Sequence, residues 1–151
     1  MSQTHIDAVL AISELPQNSD LDESGFASLT YVDINGLVNL DNTGVQQNIV
    51  SQNTWDTDVT QKGKGFRTGN DPAATIAMPP TFGAGLLAMF AAADTANNYA
   101  FRITYADGVI EYNRGLVTDP ELTKGDGEAF RNAIFTIGTN QRPVIVQAPA
   151  E

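Results

Sequence analysis

Four places in the sequence carry residue types that could do chemistry. Asp20-Leu21-Asp22-Glu23-Ser24-Gly25 opens as a calcium loop does, with oxygen ligands at alternate positions and a glycine at the sixth. The twelfth position, where such a loop needs a bidentate glutamate, is Tyr31, so the segment reads as an acidic turn. Gly63, Gly65 and Gly69 resemble a phosphate-cradling loop, but the third glycine falls one place late and no helical pattern follows it. They read as a mobile glycine loop. His5 is the sole histidine, placed in a terminal strand, and no serine lies in a G-x-S-x-G elbow. With no cysteine, thiol chemistry and Cys-based zinc sites are excluded, and the eighteen carboxylates show no acid/base pair. The expectation is therefore no catalytic residue, no metal and no cofactor.

Those residues sit in a chain of 151 residues, about one domain's worth, which is expected to form a single domain over 1–151. At 42% hydrophobic and 17% charged it is too apolar for a disordered chain. Its net charge of −10 argues against tight nucleic-acid binding, which needs a surplus of Lys and Arg. No window of 18 apolar residues is present, and the first residues lack a basic signal-peptide start, so a non-membrane protein made in the cytoplasm is expected. The charge is uneven. Residues 1–61 carry nine carboxylates and no Lys or Arg, whereas Lys62, Lys64 and Arg67 cluster just beyond them.

Strand patterning dominates. Over 32–41, Val32, Ile34, Val38 and Leu40 alternate with Asp33, Asn35, Asn39 and Asp41, which predicts one strand with an unusually polar face. Asp41-Asn42-Thr43-Gly44 reads as a turn into a second strand over 45–53, carrying Gln46, Asn48 and Gln52 on one face, and the two strands are expected to pair as a hairpin. Residues 54–71, rich in glycine and threonine with little apolar beyond Trp55 and Phe66, read as a long loop too polar to hold a shape alone. A short strand over 73–79 follows. The only helix predicted is 81–93, where Phe82, Leu86, Met89 and Phe90 form one apolar stripe and Thr81 is the expected N-cap. Tyr99, Phe101, Ile103 and Tyr105, then Asp107-Gly108, then Ile110, Tyr112, Arg114 and Leu116 spell a hairpin. A loop over 119–127, a strand over 128–138 and a short last strand over 144–146 complete a mainly β, antiparallel domain with one flanking helix.

The order of these pieces carries a resemblance. Ile34-Asn35-Gly36-Leu37-Val38, a long Gly/Lys/Thr loop, a strand–proline–helix unit at 76–90, then the run from Tyr99 through Asp107-Gly108 to Arg114-Gly115-Leu116-Val117, and a last long strand at 128–138 resemble the major tail (tail tube) protein of long, flexible-tailed bacteriophages. The resemblance covers nearly the whole chain and is clearest at 76–117. It implies a β-sandwich or half-barrel with a flanking helix, whose copies form hexameric rings sharing an inner β-barrel. It also implies stacking of the rings into a hollow, non-enzymatic tube, assembled in the host cytoplasm and located in the virion tail. Implied partners are further copies of itself, a tape-measure protein, the tail terminator and distal tail proteins, and DNA in passage. Tubes of gene transfer agents or of contractile and type VI secretion-like systems, and a terminator or distal tail ring, are the alternatives. The resembling chain ends after its last strand, so no further immunoglobulin-like domain is expected.

Within that frame, Asp33, Asn35, Asn39, Asp41, Gln46, Asn48 and Gln52 are the candidates for the lumen face, where acidic groups would repel DNA phosphate. Trp55, Lys62, Lys64, Phe66 and Arg67 are the candidates for a loop that orders only between stacked rings. Phe82, Leu86, Met89 and Phe90 are expected to be helix core within one subunit.

Overall fold

Apolar residues repeating every second position give this chain strands, and in the computed structural model, which describes residues 8–52, 59–123 and 131–148, most of them join one antiparallel sheet. The elements in chain order are β1 (Val9–Ser13), α1 (Glu23–Ala27), β2 (Tyr31–Ile34), β3 (Leu37–Leu40), β4 (Val45–Gln52), β5 (Gln61–Gly69) and β6 (Ala73–Ala77). After these come α2 (Ala84–Ala93), β7 (Asn98–Thr104), β8 (Ile110–Val117), β9 (Glu121–Thr123), β10 (Asn132–Thr139) and β11 (Val144–Val146). The main sheet runs β2-β1-β7-β8-β10-β6-β3, with β11 on β8 and β9 on β10.

The two edges of this path, β2 and β3, are consecutive in the chain and separated only by Asn35 and Gly36. A flat sheet would hold them about 29 Å apart, six steps of about 4.8 Å. Three Cα–Cα steps reach at most about 11 Å. The sheet must therefore curl until its edges meet. Gly36, at φ 84°, makes the corner, and its carbonyl accepts the Ala77 N–H at 2.8 Å. The single strand expected over 32–41 is thus two strands. A register shift between Leu37 and Asn39 turns Leu37 and Leu40 toward the core and leaves Val38 60% exposed, against the alternation.

Curling wraps one face around a core of Leu10, Ile12, Ile34, Ile76, Phe101 and Phe135, drawn from strands across the whole sheet. α2 covers this core. Leu86 and Met89 are buried, and Phe82 and Phe90 pack against it half-buried, the Phe82 ring stacked on Phe90 at 5.7 Å and Phe90 edge-on to Phe135 at 5.3 Å. The chain stays extended through Gly83, so Gly83 rather than Thr81 is the N-cap, without a side-chain bond. Leu86→Ala should cost about 2–5 kcal/mol, the usual range for truncating a buried leucine, measured by urea unfolding.

The opposite face of β7 and β8 is covered too. There Phe26 of α1 stacks on Tyr112 at 5.1 Å, beside Ala100. The acidic turn at 20–25 is the start of this second helix, which the sequence did not predict: Asp22 caps it by accepting the Gly25 N–H at 2.7 Å. Five residues with one buried side chain carry no helical period. Likewise Glu121–Thr123, expected as loop, pairs with β10 as β9, and β10 runs Asn132–Thr139.

Candidate functional site: a two-stranded arm rooted beside an apolar cleft

β4 and β5 pair only with each other, as a sheet of two strands. This overturns two expectations. The 45–53 strand does not pair with 32–41: β3 pairs with β6, and β4 pairs with β5. Much of the expected 54–71 loop is strand β5, held to β4 within a single copy. The reason is local: glycine and threonine alternating with lysine give no apolar period, yet their backbone groups satisfy those of β4 directly.

The arm is exposed along nearly its whole length, and both sides carry apolar residues without burial: Ile49 at 71%, Val50 at 55% and Phe66 at 88%. Pairing of Gln47 with Arg67, Ile49 with Lys64 and Ser51 with Lys62 puts all three bases on one face, around Ile49. Simple alternation would put Arg67 on the face opposite Lys64. A bulge corrects this: Gly65 and Phe66 stand together opposite Asn48, and Gln47 Nε2 donates to the Gly65 carbonyl at 3.1 Å. The other face holds Gln46, Asn48, Val50 and Gln52. Trp55 lies outside the described residues, as does His5.

The arm's root is fixed. Asn70 N–H donates to the Gly44 carbonyl at 2.8 Å and Asn70 Nδ2 to the Thr43 carbonyl at 3.3 Å. Beside it opens a cleft of about 850 Å³ between β3 and the β1–β7 pair. Leu10, Leu37, Val38, Leu40 and Ile103 give it an apolar lining, and Asp41, Thr43 and Tyr105 are among its polar groups. Behind Thr43 and Tyr105, Glu111 is buried but fully engaged. It accepts from Thr43 Oγ1 at short range, from Asn113 Nδ2 at 2.7 Å and from Tyr105 Oη at 3.3 Å. Burial first, and the Glu111 carboxylate second, push the Tyr105 hydroxyl above its ordinary pKa, so it stays a neutral donor. This is a structural network that ties the arm's root to β8.

No protein-family model and no curated protein matches the chain. The reading of the site therefore rests on its geometry. Among the described residues no group of three or more His, Asp or Glu side chains could hold a metal, and no helix is long and apolar enough to cross a membrane.

The seven polar residues expected to share one face are distributed over four places. Asp33 on β2 pairs with Arg102 at 3.5 Å, and Arg102 also lies over the Tyr31 ring at 4.7 Å. Asn35 is in the corner turn. Asn39 and Asp41, linked by a 3.3 Å hydrogen bond, line the cleft. Gln46, Asn48 and Gln52 are on the arm. Phe66 and the three bases, which the sequence singles out, lie on the arm, whereas the sequence reading did not name Ile49, Val50 and Val38 as exposed surface. The signal was present in Ile49-Val50, which puts an apolar residue on each face of one strand.

Proposed function

We propose that this chain is a self-assembling structural subunit of the tail-tube kind, building stacked hexameric rings around a channel for DNA, with a tape-measure protein inside during assembly. One observation carries the reading. A protein that exposes a self-paired ribbon bearing Ile49, Val50, Phe66 and a one-sided basic face has built a surface for a partner, since these apolar groups gain nothing in water. A curled antiparallel sheet with a projecting arm also fits a subunit that contributes strands to a ring and reaches the next one. The acidic net charge of −10 suits a conduit through which DNA slides. Each exposed ion pair made by the arm is worth only about 0.2–1 kcal/mol, but a ring repeats it at every subunit.

Electron microscopy of the purified protein in negative stain tests this, with stacked tubes expected. Rings that never stack would indicate a terminator or distal ring, and monomers at high concentration would overturn the proposal. Reversing Lys62, Lys64 and Arg67 to glutamate together should leave the melting temperature nearly unchanged while tubes shorten or vanish. Normal tubes from that variant would remove the basic face from the assembly.

A further inference from the structure

The arm needs an acceptor, and the cleft has the matching chemistry. We propose that the arm of one copy seats in the cleft of a second copy, with Phe66 entering between Leu37, Val38 and Leu40, and with the long side chains of Lys64 and Arg67, which rise from the ribbon's other face, reaching round the β5 edge to Asp41. This rests on the self-assembly reading above and names the surface it uses.

Three observations carry the match. Size is the first: a volume of about 850 Å³ holds a phenyl ring with room for neighbouring strand residues, and Phe66 at 88% exposure is the most exposed large apolar side chain among the described residues. Charge is the second. The described strands of the arm carry Lys62, Lys64 and Arg67 and no acid, whereas the cleft lining carries Asp41 and no base. Backbone is the third: β3 ends the sheet path, so among the described residues no strand lies on its edge away from β6.

Exposure decides that the acceptor belongs to another copy. Phe66 lies three positions from the arm's root, which borders the cleft, yet it is 88% exposed and is not among the residues that line the cleft, so the arm does not fill the cleft of its own copy. Arm and cleft are different surfaces, so the contact is heterologous and repeats without closing on itself. A symmetric arm-to-arm pairing would instead stop at two copies.

Because the chain has no cysteine, engineered thiols report this contact alone. Phe66→Cys with Val38→Cys in one chain, under mild oxidation, should give a ladder of covalent oligomers on a denaturing gel. The two single variants mixed should give a covalent dimer. Phe66→Cys paired with Leu15→Cys, another exposed position, should give no ladder. Only Phe66-to-Phe66 dimers would overturn the proposal in favour of symmetric pairing. Tubes visible by microscopy without a 66–38 crosslink would overturn it while leaving the tube reading standing, and neither tubes nor crosslinks would overturn both. As a second arm, Asp41→Lys should abolish assembly and Lys64→Asp in the same chain should restore it. If the pair does not restore it and the double variant melts normally, Asp41 is not the partner of the basic face.

Discussion

Gly85→Val destabilises the fold by about 3 kcal/mol or more, at or beyond the upper end of overpacking costs, and Gly85→Ala already shows most of the effect. A β-carbon at position 85 would lie 2.6 Å from Ile34 Cα and overlap the Asp33 carbonyl. Neither is the end of a flexible side chain. Both belong to the backbone of β2, which pairs with β1 on one side and turns through Gly36 into β3 on the other. β2 cannot retreat without opening the sheet where its edges meet, so α2 must lift, and Leu86 and Met89 lift with it. Helix propensity predicts the opposite sign, a gain of about 1 kcal/mol for alanine over glycine. The clash wins because it is with main chain. Urea unfolding of the two variants checks this; a stabilised Gly85→Ala would mean that α2 sits farther from β2.

Arg114→Ala follows, with an expected loss of about 3 kcal/mol. The guanidinium is 6% exposed and donates to Asp20 Oδ1 at 2.6 Å, the Gln17 carbonyl at 3.3 Å, the Asn140 carbonyl at 3.1 Å and Gln141 Oε1 at 3.0 Å. The ion pair itself is the smaller part, because Asp20 is 80% exposed and regains water when its partner goes. The larger part is the loss of a charged donor to three neutral acceptors at a buried site, together with the packing of the long stem. Arg114→Lys should recover less than half, since one ammonium cannot span acceptors from two loops. Thermal melts with and without 0.5 M salt separate the parts: a loss that salt largely removes would assign the effect to Asp20 after all.

How far the sequence reveals this fold depends on burial. β7 was legible because its sequence alternates cleanly, and β8 because Gly108, at φ 97°, marks the turn that leads into it. Leu86 and Met89 were legible because a helix on a core repeats its apolar face. β5 was not, since neither of its faces is buried and period-2 patterning is imposed by burial rather than by pairing. The break at Asn35-Gly36 was hidden for another reason. Asn-Gly is itself a turn signal, but alternation continues through it almost unchanged and masks it, and long-range pairing is what places Ile34 and Leu37 on opposite sheet edges. The candidate site was half legible. Composition marks the basic cluster, but the bulge that turns Arg67 to the side of Lys64 depends on pairing with β4, which spacing alone does not contain.

The strands that feed the arm give it a mechanical property. β3 leads into it and β6 leads out, and these two are hydrogen-bonded neighbours whose arm-side ends lie together. Tension on the arm therefore does not peel β3 from β6; it drags the pair lengthwise as one unit. What resists is the ladder from Ala73–Ala77 to Asn132–Thr136, loaded in shear, so that its five residue pairs bear the force together rather than one after another. A filament linked through such arms could bend and recoil under load with each subunit's sheet intact, the strain being taken up where copies meet before it reaches the fold.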